Sequence, residues 1–235
     1  MNELNIDDLR GQDFDIYKGK SVTVMGFVCN KGKTEIFAKE IIFECPECSN
    51  KMRMQQTSDV IQKPKQCSCG RRGYFPIREI IKIDMGTFYI TNPFSDTPRK
   101  IKVVVSGDGV TPLIWNEIRV GKKILVEGLL DLDLDKKHLK PYLRTEKVEI
   151  KGELSEEDKM NIIEKYVTNN FSITLDNLYQ DMSDRCLIYP DIMSILEQLH
   201  RLRKIAYLPQ LKQFIVLTKF DTNQIENNKQ DKSKN

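Results

Sequence analysis

Histidine is scarce in this chain: His138 and His200 are the only two in 235 residues. With imidazoles 62 positions apart, no Ser–His–Asp or Cys–His arrangement suggests itself as a general-base site. His138 falls in a charged turn and His200 on a helical stripe, where surface or capping roles fit better than ligation. Long apolar runs are also lacking. No stretch approaches the roughly 18 residues that a membrane-spanning helix needs. The first residues, MNELNIDDLRGQDFD, are acidic and polar, unlike a secretory leader. Charge of one sign is lacking too. A net charge of +3 does not by itself argue for nucleic acid, so any such argument must rest on local clustering. These shortages point to a cytoplasmic protein that is not an enzyme and is not held in a membrane. Apolar residues make up 40% and charged residues 30%, enough for a real core in one large or two ordinary domains.

The chain does have cysteine in a pattern. Four of its six cysteines lie in FECPECSNKMRMQQTSDVIQKPKQCSCGRRGYF, residues 43–75. Cys45-x-x-Cys48 is followed, after eighteen residues, by Cys67-x-Cys69. Two thiolate-bearing turns facing each other can supply the four ligands of a tetrahedral Zn²⁺. Pro46 and Gly70 are suitable turn residues beside them. The second pair is one residue shorter than the usual Cys-x-x-Cys. Disulfides or a redox dithiol fit less well, because nothing else in the chain resembles a secreted or thioredoxin-like protein. A closed four-thiolate site stabilises and does not catalyse. Cys29 and Cys186 remain as buried free thiols far apart in the chain.

Around the cysteines the pattern is β. SVTVMGFVCN alternates apolar residues about Gly26, and a basic turn at Lys31-Gly32-Lys33 leads to a second strand over 35–43. After the knob, REIIKIDMGTFYI, RKIKVVVSGD, RVGKKILVEGLLDLDLD and KPYLRTEKVEI each carry β-branched and aromatic residues between turn signals. Short strands without an intervening helical pattern predict a small antiparallel barrel, and five or so in about 100 residues fit the oligonucleotide-binding (OB) barrel; a β-sandwich is the alternative.

Near Leu154 the period becomes helical. Ser155-Glu156-Glu157-Asp158 reads as a capping box, Thr174 as the cap of a second helix, and Pro190 as the first turn of a third. The third helix has a stripe of Ile188, Ile192, Ile195, Leu196, Leu199 and Leu202. AYLPQ and LKQFIVLTK form a hairpin, so three helices and a hairpin predict a winged helix. The expected plan is mainly β plus α: a lead-in (1–18), a barrel (19–152) with a zinc-binding insertion (44–75), a winged helix (153–220) and a disordered tail (221–235).

Gly26-FVCNK-Gly32-Lys33-Thr34 approaches a phosphate-binding loop but has five residues between its glycines instead of four, and a strand follows where a helix should open. Basic residues cluster elsewhere. Lys63, Lys65, Arg71, Arg72 and Arg78 lie in a run without acids. Arg99 and Lys100 follow Pro98. Lys136, Lys137 and Lys140 stand at a hairpin tip, and Arg201, Arg203 and Lys212 on the third helix and wing. A basic groove with aromatic platforms holds single strands in barrels of this class, and Phe27, Phe88 and Tyr89 are candidate platforms. For each cluster alone, a solvated surface is the simpler explanation.

The stretches VTVMGFV, FECPECSNKM, PKQCSCGRRGYF, ITNPFSDTPRKIKVVVSGD and VGKKILVEGLL, in that order over about 19–152, resemble the N-terminal region of archaeal minichromosome maintenance (MCM) replicative helicases. A C-terminal winged helix is similar to that family's ending. Three departures stand out: the family's N-terminal helical subdomain is reduced to 1–18, no ATPase module appears, and the second pair is Cys-x-Cys. The resemblance implies single-stranded DNA binding and ring-forming contacts between copies, without helicase activity. By position it points to Arg99, to Lys31 and Lys33, and to the tip Lys136, Lys137 and Lys140.

The expectation is therefore a non-catalytic DNA-binding replication protein that uses its barrel. It would hold a structural zinc through Cys45, Cys48, Cys67 and Cys69, and contact DNA through Lys31, Lys33, Arg71, Arg72, Arg99, Lys100, Lys136, Lys137, Lys140, Arg201, Arg203 and Lys212. The alternatives are an adaptor docking on the replicative helicase or an initiator, or a transcription or translation factor.

Overall fold

The computed structural model describes residues 3–9, 16–56, 61–135, 138–170, 172–209 and 212–217. The expected tail (221–235) and the tip residues Lys136 and Lys137 lie outside them.

A short strand β1 (Glu3–Asn5) runs parallel to the start of β2 (Ser21–Glu44). β2 is followed by β3 (Lys51–Gln55), β4 (Ile77–Thr91), β5 (Ile101–Ser106), helix α1 (Pro112–Glu117), β6 (Lys122–Asp135) and β7 (His138–Glu153). The pairing order is β2–β4–β5–β7–β6, and β6 returns to the first half of β2, which closes a five-stranded barrel. This is an OB-like order, with β5 and β7 running parallel where an all-antiparallel sheet was expected. Alternation decides the faces. Ile101, Val103 and Val105 of β5 point inward beside Phe88, Ile90, Ile124, Val126 and Leu143. Each such burial is worth roughly 1.5–3 kcal/mol. Trp115 on α1 and Ile6 close the ends. The six-residue α1 is too short for helical periodicity to reveal it in the sequence.

The expected turn at Lys31–Lys33 is instead a bulge in one 24-residue strand. Register shifts fall between Val28 and Asn30 and between Lys31 and Thr34, so the ladder absorbs extra residues without reversing. Gly32 suits the close approach there: a Cβ would stand 3.0 Å from the Thr87 carbonyl oxygen. Beyond the bulge, β2 and β4 leave the barrel as a two-stranded ribbon. β3 adds to β2 at the far end, where Ile41, Phe43 and Phe75 form a separate core with Cys45 and Cys67.

The C-terminal part contains α2 (Glu156–Asn169), β8 (Ser172–Thr174), α3 (Leu175–Asp184), α4 (Tyr189–Arg201), β9 (Ile205–Leu208) and β10 (Gln213–Val216). The capping box forms: the Asp158 N–H donates to Ser155 Oγ at 3.0 Å and the Ser155 N–H to Asp158 Oδ2 at 3.2 Å. The Thr174 hydroxyl accepts from the Asn177 N–H. The hairpin gains a third strand, β8, in the order β8–β10–β9. This part packs on the barrel, and its core includes Cys29 and takes in Phe27 and Tyr89. Arg185 clamps loop 92–97 by donating to the carbonyls of Pro93, Ser95 and Asp96. Cys186, far from Cys29 in the chain, joins it in this interface core, where the Cys29 thiol donates to the Tyr89 carbonyl and the Cys186 thiol to the Phe27 carbonyl, both at 3.5 Å. Burial pushes the Cys186 thiol up.

Candidate metal centre and nucleic-acid surface

Two tight turns bring the cysteines together. In the first, the Ser49 N–H donates to the Cys45 carbonyl at 2.8 Å and the Cys45 N–H to Asn50 at 2.9 Å, with Ser49 in the left-handed region at φ 57°. In the second, the Gly70 N–H reaches the Cys67 carbonyl and the Cys67 N–H that of Arg71, both at 2.9 Å, with Gly70 at φ 93°. The result places Cys45 Sγ 3.7 Å from Cys69 Sγ and Cys48 Sγ 3.6 Å from Cys67 Sγ, with all four sulfurs within 4.8 Å of one another. A tetrahedron with Zn–S near 2.3 Å has edges of about 3.8 Å, whereas a disulfide needs about 2.0 Å. The four sulfurs therefore fit a zinc ion, and the shortened Cys-x-Cys still delivers its second thiol. The Cys69 backbone N–H and the neighbouring thiol and amide donors hold the Cys67 thiol at about 6. Asn50 Nδ2 points at Cys67 Sγ from 3.8 Å, the kind of outer support that orients a thiolate ligand. Arg71 crosses between the two turns to pair with Glu47.

The expected DNA-contacting cations occupy very different surroundings. Lys31 donates to the Trp115 carbonyl and lies over the Trp115 ring at 4.7 Å, and burial pulls its amine below the usual lysine range. Lys100 pairs with Asp184 at the barrel's junction with the C-terminal part, and Arg201 with Glu197 one turn back on α4. Arg71 is engaged with Glu47. Lys33, Arg72, Arg99, Arg203 and Lys212 are exposed and make no ion pair among the described residues. Lys140 is exposed on β7, opposite Asp133 in register. The set does not form one patch: it is spread over the barrel, the knob and the far end of α4. The near-motif Gly26–Thr34 lies inside β2, with no strand-to-helix turn to cradle a phosphate.

The aromatic platforms differ from expectation. Phe88 is wholly buried in the barrel core. Phe27 and Tyr89 pack against the C-terminal core, and Phe27 also meets Phe94 edge-on at 6.0 Å. Both are half-buried against that core, and Lys123 Nζ lies 5.9 Å over the Phe27 ring. A different aromatic stands on the outer wall. Tyr142 lies between Lys102, 6.0 Å from its ring, and Arg144, 5.9 Å away, and its hydroxyl is held by Arg144 Nη2 at 2.9 Å. The Tyr142 hydroxyl in turn donates to Asp131. The alternation Lys140-Pro141-Tyr142-Leu143-Arg144 puts these side chains on one face of β7 and could have been read from the sequence.

No protein-family model matches the chain, and no curated protein matches it. Among solved structures it is similar to the N-terminal domain of an archaeal MCM, crystallised at 1.8 Å, with a TM-score of 0.52 and 21% identity. The match spans 63% of this chain and 61% of that one. The likeness is one of fold: an MCM N-terminal-like arrangement, consistent with an OB-like barrel bearing a cysteine knob.

Proposed function

We propose that this is a non-catalytic, replication-linked DNA-binding protein that holds single strands against the outer wall of its barrel. The observation that carries this reading is the cation–tyrosine–cation strip of Lys102, Tyr142 and Arg144, which runs on to Lys140 and the β6–β7 tip. A base has a π face to lay on tyrosine whatever its sequence, and neighbouring cations meet the phosphates. The knob is a structural zinc centre on Cys45, Cys48, Cys67 and Cys69 that stiffens the end of the ribbon. The barrel spans 19–152 with its insertion at 44–75. The three helices and small sheet over 153–220 form a winged helix, supported by the helix, strand and hairpin order observed there. Similarity in fold to an archaeal MCM N-terminal domain supports the replication context and contacts between copies of the chain.

A second reading, an adaptor for the replicative helicase or an initiator, is favoured by the packing of Phe27 and Tyr89 against the C-terminal core. The test is direct competition among single-stranded DNA, duplex DNA and RNA of equal length for the metal-loaded protein. Preference for single-stranded DNA, lost several-fold when Lys136, Lys137 and Lys140 are changed together to Ala, supports the first reading. Absence of nucleic-acid binding supports the second.

A further inference from the structure

Phe94 stands on the loop between β4 and β5 with 46% of its surface open to solvent. Its surroundings hold it still. The Phe94 N–H donates to Asn92 Oδ1 at 3.2 Å, and Asn92 Nδ2 donates to Asp7 Oδ2 at 2.7 Å. Arg185 takes the carbonyls of Pro93, Ser95 and Asp96 on either side of it. The Phe27 ring meets it edge-on, with 79° between the planes. A loop that only joins two strands needs no such bracing. A ring fixed in place before binding loses little freedom when another flat group lies against it.

Phe94 borders two cavities. One, of about 380 Å³, is lined on the α2 side by Asn161, Lys165 and Asn169. Four-residue spacing puts those three on one helical face. The other, of about 730 Å³, reaches Thr91 and Lys123. Both volumes are in the range that takes small organic groups. The side-chain amides of Asn161 and Asn169 make no hydrogen bond among the described residues. Thr91 is wholly buried, and its hydroxyl has no partner among them either. Buried polar atoms are ordinarily satisfied, so an unspent hydroxyl beside a cavity points to a polar ligand. The acids nearby are occupied: Glu153 by Lys122, Asp158 by the Ser155 cap and Asp96 by Lys165. Lys123 makes no ion pair among the described residues.

These neighbours together describe a nucleobase. It has a π face for the ring, and edges for amides that both donate and accept. Its flanking phosphates suit the free cations. The same loop continues through the exposed Arg99 into Lys102, which lies beside the Tyr142 ring, so it leads from one aromatic to the other. We infer that Phe94 is a second stacking platform, which takes a base of the single strand into the cavity beside α2. Asn161 and Asn169 meet the edge of that base, and Lys123 and Arg99 meet the phosphates on either side. This inference rests on the single-strand binding proposed above. It adds a preference among bases, which a strip of cations and one tyrosine does not give.

The test uses the full metal-loaded chain, labelled oligothymidylate and oligodeoxyadenylate of about 30 nucleotides, and an abasic deoxyribose-phosphate oligomer of the same length. Phe94→Ala should weaken oligothymidylate binding about five- to a hundredfold and leave abasic binding unchanged. Phe94→Trp should keep wild-type affinity, and its added indole should be quenched by oligothymidylate and not by the abasic oligomer. Joint substitution Asn161→Ala and Asn169→Ala should change the ratio of affinities for the two base-bearing oligomers by at least about threefold, with the salt slope unchanged. Circular dichroism and Trp115 emission should match the wild type in the alanine variants. An equal effect of Phe94→Ala on base-bearing and abasic oligomers, an unquenched indole, or an unchanged base ratio would overturn the inference. If Tyr142→Ala weakens binding and Phe94→Ala does not, this inference fails while the outer-wall reading stands. If the wild type binds none of the oligomers, both fail.

Discussion

Replacing Arg185 with alanine should uncouple the C-terminal helices from the barrel. Arg185 Nη1 donates to the Pro93 carbonyl at 2.9 Å and the Ser95 carbonyl at 2.6 Å, and Nη2 to the Asp96 carbonyl at 3.1 Å. Its guanidinium also stands 5.9 Å from the Tyr166 ring. A hydrogen bond from a charged donor contributes about 1.5–3 kcal/mol net. Three sharing one partly exposed guanidinium do not add in full, since the carbonyls regain some water, so a loss of about 3 kcal/mol is expected for Arg185→Ala. The ion pairs at the same junction, Lys100–Asp184 and Lys165–Asp96, are more than a third exposed. Water screens both, so each should count for little, and Lys165→Ala is the weak control. Arg185→Lys should recover less than half, because a compact ammonium cannot span three carbonyls. The assay is urea unfolding followed by two probes. Trp115, the single tryptophan, lies in the barrel core beside Phe88 and reports the barrel, whereas far-ultraviolet circular dichroism weighs the helices. In the wild type the transitions should coincide. In Arg185→Ala the helical transition should move to lower urea while the Trp115 transition stays near its place. A shift worth less than about 0.5 kcal/mol, the size of an ordinary surface substitution, would refute the clamp.

Stripping the metal with a strong chelator, or changing Cys67 to Ser, should collapse hydrogen-exchange protection across 44–76 while barrel amides keep theirs, because the knob has its own small core and structural zinc supplies folding free energy directly; retained knob protection in metal-free protein would contradict this. Gly128→Ala should cost more than about 2 kcal/mol, since the new Cβ would meet the Arg144 carbonyl oxygen at 2.6 Å and backbone cannot step aside cheaply. Gly26→Ala meets the movable Cδ1 of Ile6 first and should cost less, a ranking that paired melting curves would check. The hydrogen bond from Lys165, helped by its charge, holds the Asp96 carboxyl below the usual range. A depressed carboxylate stabilises above its unfolded pKa near 3.9 and loses that contribution as pH falls through its folded value. Acid titration of the junction should therefore show a component below about pH 4 that Lys165→Ala removes.

Much of this architecture is written locally. The cysteine spacing, the alternation of Ile101, Val103 and Val105, and the Ser155–Asp158 cap each act within a few residues, so pattern alone identifies them. What the pattern missed depends on distant partners. The Lys31–Lys33 segment has turn chemistry, but pairing with β4 carries the strand through it as a bulge. β8 is three residues long and is a strand only because β10 lies beside it. Phe27 and Tyr89 look like platforms until the C-terminal core, from much later in the chain, packs against them. The meeting of Cys29 and Cys186 follows from the same packing.

The claim that the outer wall of the barrel holds unpaired DNA is tested most directly by the anisotropy of a labelled oligothymidylate of about 30 nucleotides, titrated with wild type and Tyr142→Ala across 50–200 mM salt. Three to five phosphate contacts should give a slope of log K against log salt of about −2 to −3.5, near −0.7 per contact for single strands. Tyr142→Ala should weaken binding by about 1–3 kcal/mol while leaving that slope unchanged. No binding at the lowest salt, or an affinity indifferent to both salt and Tyr142, would contradict it.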